Sequence, residues 1–118
     1  FRPVDIKLGP DGCLYVADFY NRIIGHYEVP LDHPGRDKTS GRIWRISYGT
    51  PKDRKQTDFT KLSLDELWKE IDSANSARRL IATHELVDRF GEEAATKAAQ
   101  SFASASDRQK VAALWILH

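Results

Sequence analysis

Arg2-Pro3-Val4-Asp5-Ile6-Lys7-Leu8-Gly9-Pro10-Asp11-Gly12-Cys13-Leu14-Tyr15-Val16-Ala17-Asp18 decides the architecture of the first half of this chain. Val4, Ile6 and Leu8 alternate with Asp5 and Lys7, the period of a half-buried strand. Gly9-Pro10-Asp11-Gly12 supplies turn chemistry, and a second apolar run follows at Cys13-Leu14-Tyr15-Val16. Two such runs around Pro-Asp-Gly predict a β-hairpin. The same turn lacks the ladder of alternating oxygen ligands and the closing glutamate of a calcium loop, so a β-turn accounts for it.

Working outward, residues 23–29 (Ile-Ile-Gly-His-Tyr-Glu-Val) form a third strand candidate, and Arg42-Ile43-Trp44-Arg45-Ile46 a fourth. Residues 1–48 are therefore expected to be a four-stranded antiparallel meander, the content of one β-propeller blade. Residues 30–41, rich in turn formers and charge, predict a long surface loop of the kind that often carries function. Residues 49–61 are charged and poor in apolar side chains, and they read as a linker.

From Ser63 the period becomes helical. Ser63-Leu64-Asp65-Glu66 is a capping box, with Leu64, Leu67, Trp68 and Ile71 on one face of a short helix. Asn75 or Ser73 can cap the next helix, whose expected apolar face is Ala77, Leu80, Ile81, His84 and Val87. Gly91 is its expected stop. An alanine-rich third helix offers Ala95, Ala98, Ala99 and Phe102 for close packing. Ser106-Asp107-Arg108-Gln109 is a second capping box, opening a fourth helix through Val111, Leu114 and Trp115. Residues 78–86 align with residues 109–117 at an offset of 31. A period of that size, with two helices per unit, marks an α-solenoid. The expected fold is thus an α+β chain: the sheet over 1–48, the linker over 49–61, and two HEAT-like helix pairs of an α-α superhelix over 62–118.

Eighteen basic against seventeen acidic side chains leave a formal charge of +1, so no global field points to a nucleic-acid partner. No apolar run approaches the roughly 18–20 residues of a membrane span. The single cysteine, Cys13, has no partner for an internal bridge. The chain contains no methionine and opens directly on strand-like sequence, so it reads as an internal piece of a longer protein.

The segments Arg2-Pro3-Val4-Asp5-Ile6, Gly9 to Asp18 and Gly41-Arg42-Ile43-Trp44-Arg45-Ile46 resemble the last blade of the glucose/sorbosone-dehydrogenase β-propellers. With Asp18-Phe19-Tyr20-Asn21-Arg22 and the residues after it, the similarity is closer to the large "membrane-bound dehydrogenase" proteins of planctomycete-type bacteria, in which helical repeats follow the propeller. The resemblance implies a periplasmic or exported parent protein with six blades, oxidising a sugar or alcohol. In some relatives the cofactors are pyrroloquinoline quinone and calcium. The missing blades and further helical repeats would then be the partners of this piece. One blade cannot enclose a channel, so this chain is expected to be inactive by itself and to hold no cofactor. Without a Cys-x-x-Cys-His it carries no haem.

In the quinone-dependent relatives an arginine just before the blade's first strand points at the cofactor's carboxylates, and Arg2 stands at that place. A guanidinium fork suits a carboxylate; the alternative is that Arg2-Pro3 is simply the entry to the strand. Arg22 stands where relatives often have proline. Asp18, Asn21 and His26 form a second polar cluster, which could bind a sugar, a cation or a cofactor. The favoured alternative is that Asp18 and Asn21 are Asx-turn residues, with His26 packed beside Tyr27. No metal site is expected, since His33 has no ligand partners at suitable spacing. His84 is expected to be a packed core histidine. Arg78-Arg79 reads as a solvated face or as a contact for a partner's acidic patch. The alternative function is a non-catalytic protein-interaction module using loop 30–41 and the outer helical face.

Overall fold

The computed structural model describes residues 1–25, 27–49 and 57–118. The chain divides into two compact units, Phe1–Asp53 and Arg54–His118.

In the first unit β1 (Pro3–Leu8), β2 (Leu14–Asp18) and β3 (Arg42–Ile46) form an antiparallel sheet in the order β1-β2-β3. The β1–β2 turn closes as the sequence predicts. Gly12 N–H donates to the Gly9 carbonyl at 3.0 Å and Gly9 N–H to the Cys13 carbonyl at 2.8 Å. Gly12 has φ 80°, a conformation that glycine adopts without steric cost. Gly9 is required for a different reason: a Cβ there would run into the Tyr15 ring and the Asp11 carboxylate.

The register places Ile6, Val16 and Trp44 in one row and Leu8, Leu14 and Ile46 in the next, so six apolar side chains share one face. Only Val16 among them is buried. The opposite face carries Lys7, Tyr15 and Arg45 in one row and Asp5, Ala17 and Ile43 in the next.

The expected four-stranded meander is corrected here to three strands among the described residues. Residues 23–25 and 27–29 are not strand. The physical reason is a single guanidinium. Arg36 donates to the carbonyls of Ile23 (3.4 Å), Gly25, Val29 (2.6 Å) and Pro30 (2.8 Å). Carbonyls that a strand would offer to a neighbouring strand are gathered around one side chain instead.

The second unit begins with a 3₁₀ turn (Phe59–Lys61) followed by α1 (Leu64–Glu70), α2 (Ser76–Ser101) and α3 (Asp107–Ile116). Of the expected linker, residues 50–56 lie outside the described residues, and Phe59 belongs to the helical core. Both capping boxes form. Ser63 accepts from Glu66 N–H while Glu66 accepts from Ser63 N–H, and Ser106 and Gln109 do the same. Asn75, rather than Ser73, caps α2 by accepting from the amides of Ala77 and Arg78. At Gly91 (φ 42°, ψ −110°) the backbone leaves helical geometry, so α2 consists of two helical stretches meeting at that glycine.

The core is Phe59, Leu67, Trp68, Ile71, Ala82, Leu86, Ala94, Ala98, Ala112, Ala113 and Ile116. Of the expected apolar faces of α2 and α3, Ile81 packs against this core, but most of the other large side chains do not. Leu80 (58% exposed), His84 and Val87 face outward, as do Val111, Leu114 and Trp115 (70% exposed). His84 is thus not the packed core histidine that periodicity suggests. Two apolar stripes compete on these helices, and the alanine-rich stripe wins the interior because small side chains let the helices approach closely.

Candidate functional site

In the sheet unit the residues singled out by sequence are drawn into one hydrogen-bonded system. Asp18, 3% exposed at the end of β2, accepts from Arg2 N–H (2.7 Å), Tyr20 N–H (3.0 Å) and the Trp44 indole (2.9 Å). Burial pushes its carboxyl up, and those three donors outweigh it and hold the group below its ordinary value. Tyr20, held by one of these bonds, has φ 46°, a left-handed conformation that few non-glycine residues adopt. Arg42 stacks over its ring at 4.3 Å.

Asn21 is buried as well. Its Nδ2 donates to the Asp37 carbonyl (2.9 Å), and its Oδ1 accepts from Ile23 N–H (3.1 Å) and Asp37 N–H (3.3 Å). Asp37 in turn accepts from the amides of Thr39 and Ser40, turning the chain toward β3. Asp18 and Asn21 therefore both accept from the amide two residues on, as Asx turns do, and each also reaches across the sheet or loop. His26 lies outside the described residues.

Arg2 donates one guanidinium N–H to the Arg22 carbonyl at 3.2 Å. Arg2, Arg22 and Arg36 line a polar groove of about 750 Å³ together with Tyr20, Asn21 and Asp37. Of the three cations Arg36 is committed to backbone carbonyls, and Arg2 spends one N–H on the Arg22 carbonyl.

Sequence reasoning missed Asp11 as a structural acid. Its carboxylate, almost fully buried, accepts from Cys13 N–H (3.0 Å), the Tyr15 hydroxyl (2.9 Å) and Arg45 Nε (2.8 Å). The Cys13 amide contributes most. Against the opposing effect of burial, Arg45 and Tyr15 help it hold the carboxyl far below the ordinary carboxylate range. Its position two residues before Cys13 was a local signal for the amide bond. Nothing local pointed to Arg45 or to the role of Arg36. Among the described residues no three His, Cys, Asp or Glu side chains gather to hold a metal ion.

The helical unit carries a second candidate site by itself. A groove of about 550 Å³ runs between the first stretch of α2 and α3, with Leu80, Val87, Val111 and Trp115 among its walls. His84, Asp88, Arg79 and Arg108 add polar groups. The pair Arg78-Arg79 is split. Arg78 is bound bidentately by Glu70 (2.6 and 2.8 Å), whereas Arg79 lies on the groove.

No helix among the described residues is long and apolar enough to cross a membrane. A family model described as a domain of unknown function (DUF7133) matches residues 1–50. No curated protein matches the chain, and no solved structure does.

Proposed function

We propose that this chain is a non-catalytic protein-interaction module, in which the helical unit is a short α-solenoid of HEAT-like helix pairs and the sheet is a β-propeller blade-like piece. The observation that carries the reading is the groove on the helices. Leu80, Val87, Val111 and Trp115 are large apolar side chains, each at least 45% exposed, standing around one concave surface.

The 31-residue register supports the solenoid. It pairs the caps Asn75 and Ser106, the buried Ala82 and Ala113, and the buried Leu67 and Ala98. It also pairs Leu80 with Val111 and His84 with Trp115 around the groove. A repeated unit presenting equivalent residues on one face is how solenoids build binding surfaces. The sheet's uncovered apolar face, with Ile6, Leu8, Leu14, Trp44 and Ile46 exposed, supports a blade that packs against other sheets.

Selection of displayed peptides on the immobilised chain tests the reading. It is expected to enrich peptides whose binding is lost in Leu80→Glu while far-UV circular dichroism is retained. Enrichment of none, or only of peptides indifferent to Leu80→Glu, overturns it.

A second reading rests on the polar groove of the sheet unit. There the chain is part of an exported quinoprotein of the sugar-dehydrogenase-like kind, and Arg2 meets a carboxylate of pyrroloquinoline quinone. The fit is one of charge: Arg2 and Arg22 line the groove, and Arg2 spends one N–H on a carbonyl. When bound, the quinone would accept the hydride and this chain would only orient it. Calcium ligands would come from other blades. The parent protein, supplied with quinone and calcium, is expected to oxidise aldoses in a dye-linked assay, with the quinone bound about tenfold more weakly in Arg2→Ala. No oxidation of any aldose or alcohol sinks this reading.

A further inference from the structure

We infer that the α2–α3 groove takes an acidic peptide segment, whose apolar side chains lie among Leu80, Val87, Val111 and Trp115 and whose carboxylates meet Arg79 and Arg108. The inference rests on the interaction-module reading and adds the chemistry of the partner.

Charge complementarity decides it. Arg79 and Arg108 come from different helices yet sit at the same end, because both are tied to the turn before α2. Arg79 Nη1 donates to the carbonyls of Ser73 (2.7 Å) and Ala74 (3.0 Å), and Arg108 Nη1 to that of Asp72 (3.4 Å). Neither has a carboxylate partner within ion-pair distance among the described residues, whereas Arg78 and Arg89 of the same unit each have one. The Asp72 carboxylate at that turn is occupied by the Ser106 hydroxyl at 2.6 Å.

Anchoring on one nitrogen leaves the rest of each guanidinium free for a bidentate acid. The N-terminal turns of α2 and α3 lie at this same end and add positive potential. Further along the groove Asp88 is the only acidic side chain in its lining among the described residues. A basic peptide would therefore be repelled where its apolar anchors enter, while an acidic one is drawn in.

The probe is a helix-forming peptide of about 16 residues with leucines at i, i+3, i+4 and i+7, made in a glutamate-rich and a lysine-rich version. Binding to the full chain is read by anisotropy of a labelled peptide. The glutamate version is expected to bind at least about tenfold more tightly at low salt, with the preference shrinking as salt rises. Arg108→Glu, at an exposed position with one long hydrogen bond, should remove most of the preference. Arg79→Glu should do the same if circular dichroism shows it folded.

Equal binding of the two peptides, or a preference untouched by Arg108→Glu, overturns the acidic specificity and leaves the module reading standing. Binding of neither peptide overturns the inference, and if peptide selection also enriches nothing, the module reading falls with it. Concentration-dependent self-association that is lost in Leu80→Glu would assign the groove to a second copy of the chain and also overturn the inference.

Discussion

The sheet unit and the helical unit are held together by opposite materials. Among the described residues of the sheet unit the buried side chains are Asp11, Cys13, Val16, Asp18 and Asn21, so most of its interior is polar. Its apolar residues are largely displayed on one face of the sheet. In the helical unit the buried side chains are apolar throughout, and the polar contacts lie at the helix ends and on half-buried or exposed side chains such as Arg89 and Lys97. One unit is thus specified by hydrogen-bond geometry with little apolar burial, the other by close packing. What each leaves uncovered differs accordingly: a flat apolar sheet in one case, a concave groove with two cations in the other.

Four perturbations can break or sharpen that contrast. The largest effect is expected from Leu67→Ala, which opens a cavity at a fully buried site and should cost about 2–5 kcal/mol in denaturant unfolding followed by far-UV circular dichroism. Val16→Ala in the sheet should cost only about 1.5 kcal/mol, two methylene equivalents. Equal costs would make the sheet an ordinary apolar core and erase the distinction.

Next comes acid. Asp11 is held below its unfolded value, so its stabilisation is fully present above about pH 4 and is lost as pH falls from there toward its lower folded value. The Cys13 amide resonance, whose N–H donates to Asp11, should shift through that range, and Asp11→Asn should flatten the dependence. An unchanged acid profile in Asp11→Asn would remove the carboxylate from the account.

Arg36→Lys comes third. An ammonium cannot serve four carbonyls in the fork geometry, so exchange of the hydrogen-bonded Ile23 and His33 amides of this loop should rise about tenfold. Full retention of protection would mean that the loop is held by its other contacts. The smallest effect is expected from Ser63→Ala and Ser106→Ala, about 1 kcal/mol each, confined to the helical unit.

The same contrast explains what could be read in the sequence. The caps Ser63, Asn75 and Ser106, the break at Gly91 and the Gly9–Gly12 turn depend on residues a few positions apart, and the structure has them where the sequence put them. The third predicted strand failed because Arg36 captures carbonyls up to 13 residues away, which no local pattern encodes. Asp18 was legible as a polar candidate, but its bonds to Arg2 and Trp44 span 16 and 26 residues. Periodicity located the helices but misjudged their inward faces, since alanine and leucine stripes both satisfy the helical period. That ambiguity hid the groove. His84 and Trp115 looked like core residues until the alanines were seen to occupy the interior.

The most direct test is a nuclear magnetic resonance titration of the isotopically labelled chain with the glutamate-rich peptide. Shift changes are predicted to cluster at Arg79, Leu80, His84, Val87, Val111 and Trp115, leaving the buried Asp18 and Asn21 unmoved. Changes centred on the sheet, or scattered without reference to the groove, would contradict the assignment of recognition to the helical unit.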